Sequence, residues 1–235
     1  MEDCLTRRSE RLQILLLIHT LAAFASWLAG LGAKPPASTD GSTRSTANAS
    51  STAHCVSAVK PSSDNHVHLL LTPPAVGATS QLMQKLGRQY VGQFNARHRR
   101  TGTLWEGRYK ACLVDSETYV LRCYRYIDLN PVRARITNDP MRFRWSSAAA
   151  HGGHHTDSLL TPHPAYTALG ETDRERGAAY GAIIREAIAD DELLAIRMHL
   201  QQQRALGRDA FRAMVEAKTL RFAGVRPAHR PPSGK

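Results

Sequence analysis

The chain has 235 residues, 42% of them hydrophobic, which is enough for one ordinary domain with extensions. Lys and Arg outnumber Asp and Glu 31 to 20, for a formal charge of +11 and a pI near 10.0. That balance favours a polyanionic partner, nucleic acid first, against the competing explanation of a compositional bias toward Ala and Arg. Cys4, Cys55, Cys112 and Cys123 are scattered and form no Cys-x-x-Cys pair, so neither a zinc ribbon nor a disulfide framework is indicated, and reduced thiols in a cytoplasmic setting are expected.

Residues 1–33 begin with Arg7, Arg8 and Arg11 and continue as an uncharged apolar run, Ile14 to Ala33. The run has about the length of a bilayer span and basic residues on its N-terminal side. His19, Thr20, Ser26 and Trp27 interrupt it, so a buried helix or acquired sequence outweighs a membrane anchor. Residues 34–63 are rich in Ser, Thr, Ala and Pro and read as a disordered linker.

From residue 64 the pattern is that of a compact α+β unit, with a core over 64–150 and a helical extension over 151–222. "HVHLLLT" predicts a strand over 66–72, stopped by Pro73 and Pro74. The next segment predicts a helix, with Thr79 or Ser80 as cap and Leu82, Leu86, Tyr90 and Phe94 recurring every four residues. A second strand follows over about 107–114. Ser116 is then expected to cap a helix that stops near Pro131. Further helices are expected near 174–189, 190–204 and 208–220, and 223–235 reads as a basic, Pro-rich disordered tail.

Two places carry candidate chemistry. In a strand, His66 and His68 face the same way, a start on a divalent-metal site; the competing reading is two half-exposed edge histidines. In the helix before Pro131, Arg122, Tyr126 and Asn130 recur at four and share a face. A phenolate nucleophile with a metal held by His66, His68 and the Asn130 amide would suit phosphoryl transfer. Spacing leaves Tyr119, Tyr124 and Tyr126 all open as that nucleophile. The competing readings are a core tyrosine and a helix C-cap asparagine.

"NHVHLLL", "FNARHRRTGTLWEGRYK", "YRYIDLNPVRARI" and "WSSAAAH", in this order, resemble the HUH single-strand transposases. They are most similar to the insertion-sequence-200-like branch called REP-associated tyrosine transposases, over about 64–224, including "RALGRDAF". The resemblance implies a ferredoxin-like core with a central antiparallel sheet. It implies His66, His68 and Asn130 as ligands of Mg²⁺ or Mn²⁺, and Tyr126, from "YxxxNPV", as the nucleophile that leaves a 5′-phosphotyrosine and a free 3′-hydroxyl. It implies single-stranded or hairpin DNA as substrate, and, with a lone tyrosine, a homodimer. Arg88, Arg97, Arg99, Arg100, Arg108 and Lys110 would track the DNA backbone, with Arg122 beside the nucleophile and Trp105 or Tyr109 stacking on a base.

The first core strand and the usual approach to the histidines in that family have no counterpart in residues 1–63, so a sheet incomplete at its N-terminus is expected. Two other function classes follow from the same residues: a DNA-binding relic without catalysis, and a membrane-anchored basic protein.

Overall fold

The computed structural model describes residues 13–19, 52–59, 66–73, 75–105, 107–115 and 119–227, the first two segments as backbone. Strands β1 (Gln13–His19), β2 (Thr52–Val59), β3 (His66–Thr72) and β4 (Lys110–Val114) form one antiparallel sheet in the order β2-β3-β1-β4. Helix α1 (Ala78–His98) joins β3 to β4. After β4 come α2 (Val120–Asp128), α3 (Asn130–Arg133), a 3-10 turn (Pro140–Arg142), α4 (Ala148–His151), α5 (Pro164–Thr167), α6 (Asp173–Arg185), α7 (Asp190–Gln202) and α8 (Asp209–Thr219). The protein is thus a mixed helix and strand fold.

Two expectations for the N-terminal region are corrected. Thr52–Val59, read as linker, is a strand paired with β3 along its length. Gln13–His19, part of the apolar run, is a strand between β3 and β4 rather than a helix. The sheet therefore has the strands that its N-terminus seemed to lack. The physical reason is tertiary: both segments complete ladders whose templates, β3 and β4, lie later in the chain. The rest of residues 1–63, including 20–33 of the apolar run, lies outside the described residues. No helix among the described residues is long and apolar enough to cross a membrane.

β3 lies inside the sheet, and both of its faces are covered. Val67, Leu69 and Leu71 pack against Met83, Leu86 and Tyr90 of α1. The opposite face brings Leu70 into a cluster with Cys123, Tyr124, Tyr126 and Ile127 of α2, and with Tyr180, Ile184, Ile196 and Leu200 of α6 and α7. One hydrophobic cluster thus joins the sheet to the C-terminal helices. Cys112 and Cys123 are free thiols within it, and burial pushes Cys112 up to about 12.

Several boundaries differ in detail from the sequence reading. The N-cap of α1 is Gly77 at φ 83°, with no side-chain cap from Thr79 or Ser80. Ser116 lies outside the described residues, and α2 starts from Tyr119 with no side-chain cap. Pro131 occupies the first turn of α3, where its missing N–H is harmless, so α2 gives way to α3 at Leu129. Residues 223–227 are not a loose tail: Ala223 is 4% exposed, and its carbonyl accepts from Ala205 N–H. Residues 228–235 of that expected tail lie outside the described residues.

"RALGRDAF" closes the sheet. Leu206 bridges Val114, Leu206 N–H donates to the Leu113 carbonyl at 2.8 Å and Asp115 N–H to the Leu206 carbonyl at 2.9 Å. Arg208 Nε then donates to the buried Asp115 carboxylate at 3.0 Å. This segment covers one end of the β4 edge.

Gly177 in α6 marks a close crossing, because a Cβ there would lie 2.6 Å from the Gly152 carbonyl oxygen. Backbone cannot give way as a side chain can. Gly177→Ala is expected to lower unfolding stability by about 1–3 kcal/mol in urea titrations; an unchanged midpoint would show that α6 does not pack this closely.

Candidate active site

β3 holds His66 and His68 on one face, two residues apart, with ring centroids 5.0 Å apart at 83°. His68 is 1% exposed, because α2 lies over this face. The Tyr126 ring meets His68 edge-on at 5.2 Å. One helical turn later Asn130 places Nδ2 3.3 Å from His66 Nε2. Four residues from two distant segments thus converge at one place.

The three candidate tyrosines separate. Tyr119 is the N-cap of α2 and lies under the Arg122 guanidinium at 4.9 Å. Tyr124 is fully buried and stacks on His151 at 4.4 Å and 14°. Tyr126 is the one whose ring contacts a histidine of β3, with 5% of its surface exposed.

Arg122 departs from the shared face. It is exposed and ion-pairs with Glu192 of α7 at 3.6 Å. Each four-residue step overshoots a helical turn by about 40°, so two steps carry Arg122 about 80° from Asn130.

Two arginines that spacing did not single out surround the Tyr126 phenol. Arg133 Nη2 donates to the Tyr126 carbonyl at 2.5 Å and to Asn130 Oδ1 at 3.4 Å, and its guanidinium lies 4.7 Å over the Tyr126 ring. Burial lowers Arg133 to about 10. Arg197, from α7, acts electrostatically on the Tyr126 side chain. Burial raises the Tyr126 pKa, while the charges of Arg133 and Arg197 oppose that rise. A helical reading could have found Arg133, three residues beyond Asn130. Arg197 comes from a distant helix and leaves no local signal.

Behind α2 lies a buried polar network. Asp128 is 0% exposed. Its carboxylate accepts from Ser146 Oγ at 3.3 Å, Ser147 Oγ at 2.5 Å, His151 Nδ1 at 2.9 Å and Tyr180 Oη at 2.7 Å. Tyr166 Oη in turn donates to the His151 carbonyl at 2.7 Å. The serines and histidine of "WSSAAAH" therefore serve to anchor α2 between Tyr126 and Asn130.

The remaining candidate residues lie away from this face, except Lys110, which is in register with Leu17 and through it with His68 and so shares the histidine face. Arg88, Arg97, Arg99, Arg100 and Arg108 are exposed, the first two on α1 and the next two at its C-terminal end. Because side chains alternate along β3, α1 covers the face opposite His66 and His68. Lys110 is half-buried at the start of β4. Trp105 is half-buried against Tyr90 at 5.7 Å, and Tyr109 Oη pairs with Ser80 Oγ at 3.2 Å.

Among the described residues no group of three His, Cys, Asp or Glu side chains converges. The groups that do converge are two imidazoles, whose ring nitrogens suit a divalent ion, and the Asn130 amide, whose nitrogen faces His66 and whose oxygen accepts from Arg133.

Residues 49–130 match the family model described as Transposase IS200 like, about a third of the chain. No curated protein and no solved structure matches. The matched span contains β2, β3, β4 and α2, and with them His66, His68, Tyr126 and Asn130. It supports a transposase-like function, with DNA as partner and DNA transposition as the process.

Proposed function

We propose that this protein cleaves and rejoins single-stranded or hairpin DNA through a 5′-phosphotyrosine on Tyr126, as a single-tyrosine HUH transposase of the REP-associated type. The observation that carries this reading is the convergence of Tyr126 on His68 at 5.2 Å and of Asn130 on His66 at 3.3 Å. The antiparallel order β2-β3-β1-β4, with a helix between β3 and β4, supports a ferredoxin-like core. The histidines then lie on an interior strand.

His66, His68 and Asn130 would hold Mg²⁺ or Mn²⁺, and the imidazole pair suits the softer Mn²⁺. When bound, the ion supplies Lewis-acid polarisation of the scissile phosphate. Asn130 would offer its amide oxygen once the amide is turned toward the histidines; in the structure that oxygen accepts from Arg133, which also donates to the Tyr126 carbonyl. The Tyr126 oxygen forms a bond to phosphorus and the bond from phosphorus to the 3′ oxygen breaks. The phenolic proton leaves to solvent, and the departing 3′ oxygen takes one up. Attack by another 3′-hydroxyl on the phosphotyrosine reverses the step and transfers the strand. Exchange between two DNA ends needs two such tyrosines, which supports a homodimer. Arg88, Arg97, Arg99, Arg100 and Arg108, with Trp105 and Tyr109, would hold more distant DNA on the α1 side of the sheet, and Lys110 would contact it on the histidine side.

Covalent capture tests the reading. Labelled hairpin DNA incubated with Mn²⁺ should move to protein size on a denaturing gel. Chelator and His66→Ala should each remove at least about 90% of that signal, since loss of one of three ligands weakens metal binding by about tenfold or more. A second reading, a DNA-binding relic without catalysis, is favoured by the 5% exposure of Tyr126 and the upward shift that burial gives its phenol. Salt-sensitive DNA binding without any adduct would establish it.

A further inference from the structure

A loop not assigned to DNA in the sequence reading leaves the nucleophile helix and returns to it. At its start Arg133 Nη2 donates to the Tyr126 carbonyl at 2.5 Å. At its end Ser146 and Ser147 donate to Asp128, at 3.3 and 2.5 Å. Both ends are therefore pinned within two residues of Tyr126. Between them the loop carries Arg135, Arg142 and Arg144, all exposed. Among the described residues none of these three guanidinium groups makes a hydrogen bond or ion pair. Arg144 lies 4.1 Å over the Trp145 ring, and Trp145 packs on the cluster that also receives Trp105 and Tyr109.

The loop is built rather than loose. Asp139, its one acidic residue, spends its carboxylate on Met141 N–H at 2.9 Å. Thr137 Oγ1 donates to the Asp139 carbonyl at 2.9 Å and accepts from Asp139 N–H at 3.2 Å. The turn Pro140–Arg142 then rests on α4. Three exposed arginines against one carboxylate, that of Asp139, held on an ordered arch beside Tyr126, make a net-positive surface for a polyanion.

We infer that the Arg133–Trp145 loop is a binding surface for single-stranded DNA, gripping phosphates of the strand that flanks the bond attacked by Tyr126. This rests on the proposed function and adds to it a path for the DNA. The path runs on the side of the sheet that holds the nucleophile, then over Trp145 toward Trp105. The α1 arginines by themselves cover only the opposite face. Phosphate contact supplies the affinity, and the Arg144–Trp145 stack gives a flat platform for a base.

The test uses the full chain and a labelled single-stranded oligodeoxynucleotide of mixed sequence, with affinity read by fluorescence anisotropy over a series of salt concentrations. Each lost phosphate contact lowers the slope of log affinity against log salt by about 0.7 for a single strand. Arg135→Ser, Arg142→Ser and Arg144→Ser combined should therefore lower it by about 2. Arg174→Ser with Arg185→Ser, two exposed arginines of α6, should leave it unchanged. Thermal midpoints matching the unmutated chain exclude misfolding as the cause. A loop variant with the unmutated slope, or an α6 variant with an equal loss, would overturn the inference and leave the proposed function standing. An unmutated chain without salt-dependent binding would overturn both.

Discussion

Tyr126→Phe is expected to abolish transfer of labelled DNA to the protein, a loss of at least about a thousandfold in rate, because the substitution removes the oxygen proposed to attack. The ring remains, so its edge-on contact with His68 and the Arg133 guanidinium above it are retained. What is lost is the hydroxyl and its electrostatic interaction with Arg197, a change of about 1 kcal/mol in stability at most. Affinity for the same oligonucleotide should therefore stay within about threefold of the unmutated chain, roughly 0.6 kcal/mol. Tyr119→Phe and Tyr124→Phe serve as comparators: one residue is at the helix start under Arg122, the other is stacked on His151. Both should still form the adduct. An adduct that persists in Tyr126→Phe and disappears in either comparator would move the nucleophile and discard the site described above.

The largest expected effect on stability comes from Asp128→Ala. Removing this carboxylate leaves Ser147, His151 and Tyr180 donors in the core facing a space where their shared acceptor had been. Breaking such a buried charged network by deleting its centre costs about 3–5 kcal/mol. Urea denaturation should show a midpoint lowered accordingly, or a protein that fails to accumulate in soluble form. Asp128→Asn keeps the shape and one acceptor but turns a donor toward donors, so its midpoint should fall between the two. Equal midpoints for all three proteins would mean that the network does not hold α2 in place.

Much of the fold from β3 onward is legible locally. β3 announces itself by a Val and Leu run ended by proline, and α6, α7 and α8 lie close to the spans that periodicity suggests. The first two strands were not legible, for different reasons. Ile14–Ile18 is apolar at every position, so it has neither a two-residue nor a 3.6-residue period to separate strand from helix. Thr52–Val59 is dominated by small and polar residues, and its conformation is set by the ladder that β3 offers. At the site, spacing of two and four brought out His66, His68, Tyr126 and Asn130, since each pair lies within one element or one turn. Which tyrosine faces the histidines needed the structure, because Tyr124 and Tyr126 both face inward and only packing assigns them different neighbours. Arg197 enters from α7, a relation that exists only once the helices have docked.

The closure of β4 by Leu206 also sets an order of events during synthesis. β1 is made first, yet its partners β3 and β4 emerge about fifty and a hundred residues later, and the bridge from Leu206 to Val114 needs nearly another hundred. Until the last stretch of chain leaves the ribosome, the growing polypeptide carries an open strand edge and half of a hydrophobic cluster whose other half is still unmade. Sealing of the β4 edge thus waits for residue 206, and a chain cut short before it should be left with that edge open and prone to sticking to its neighbours.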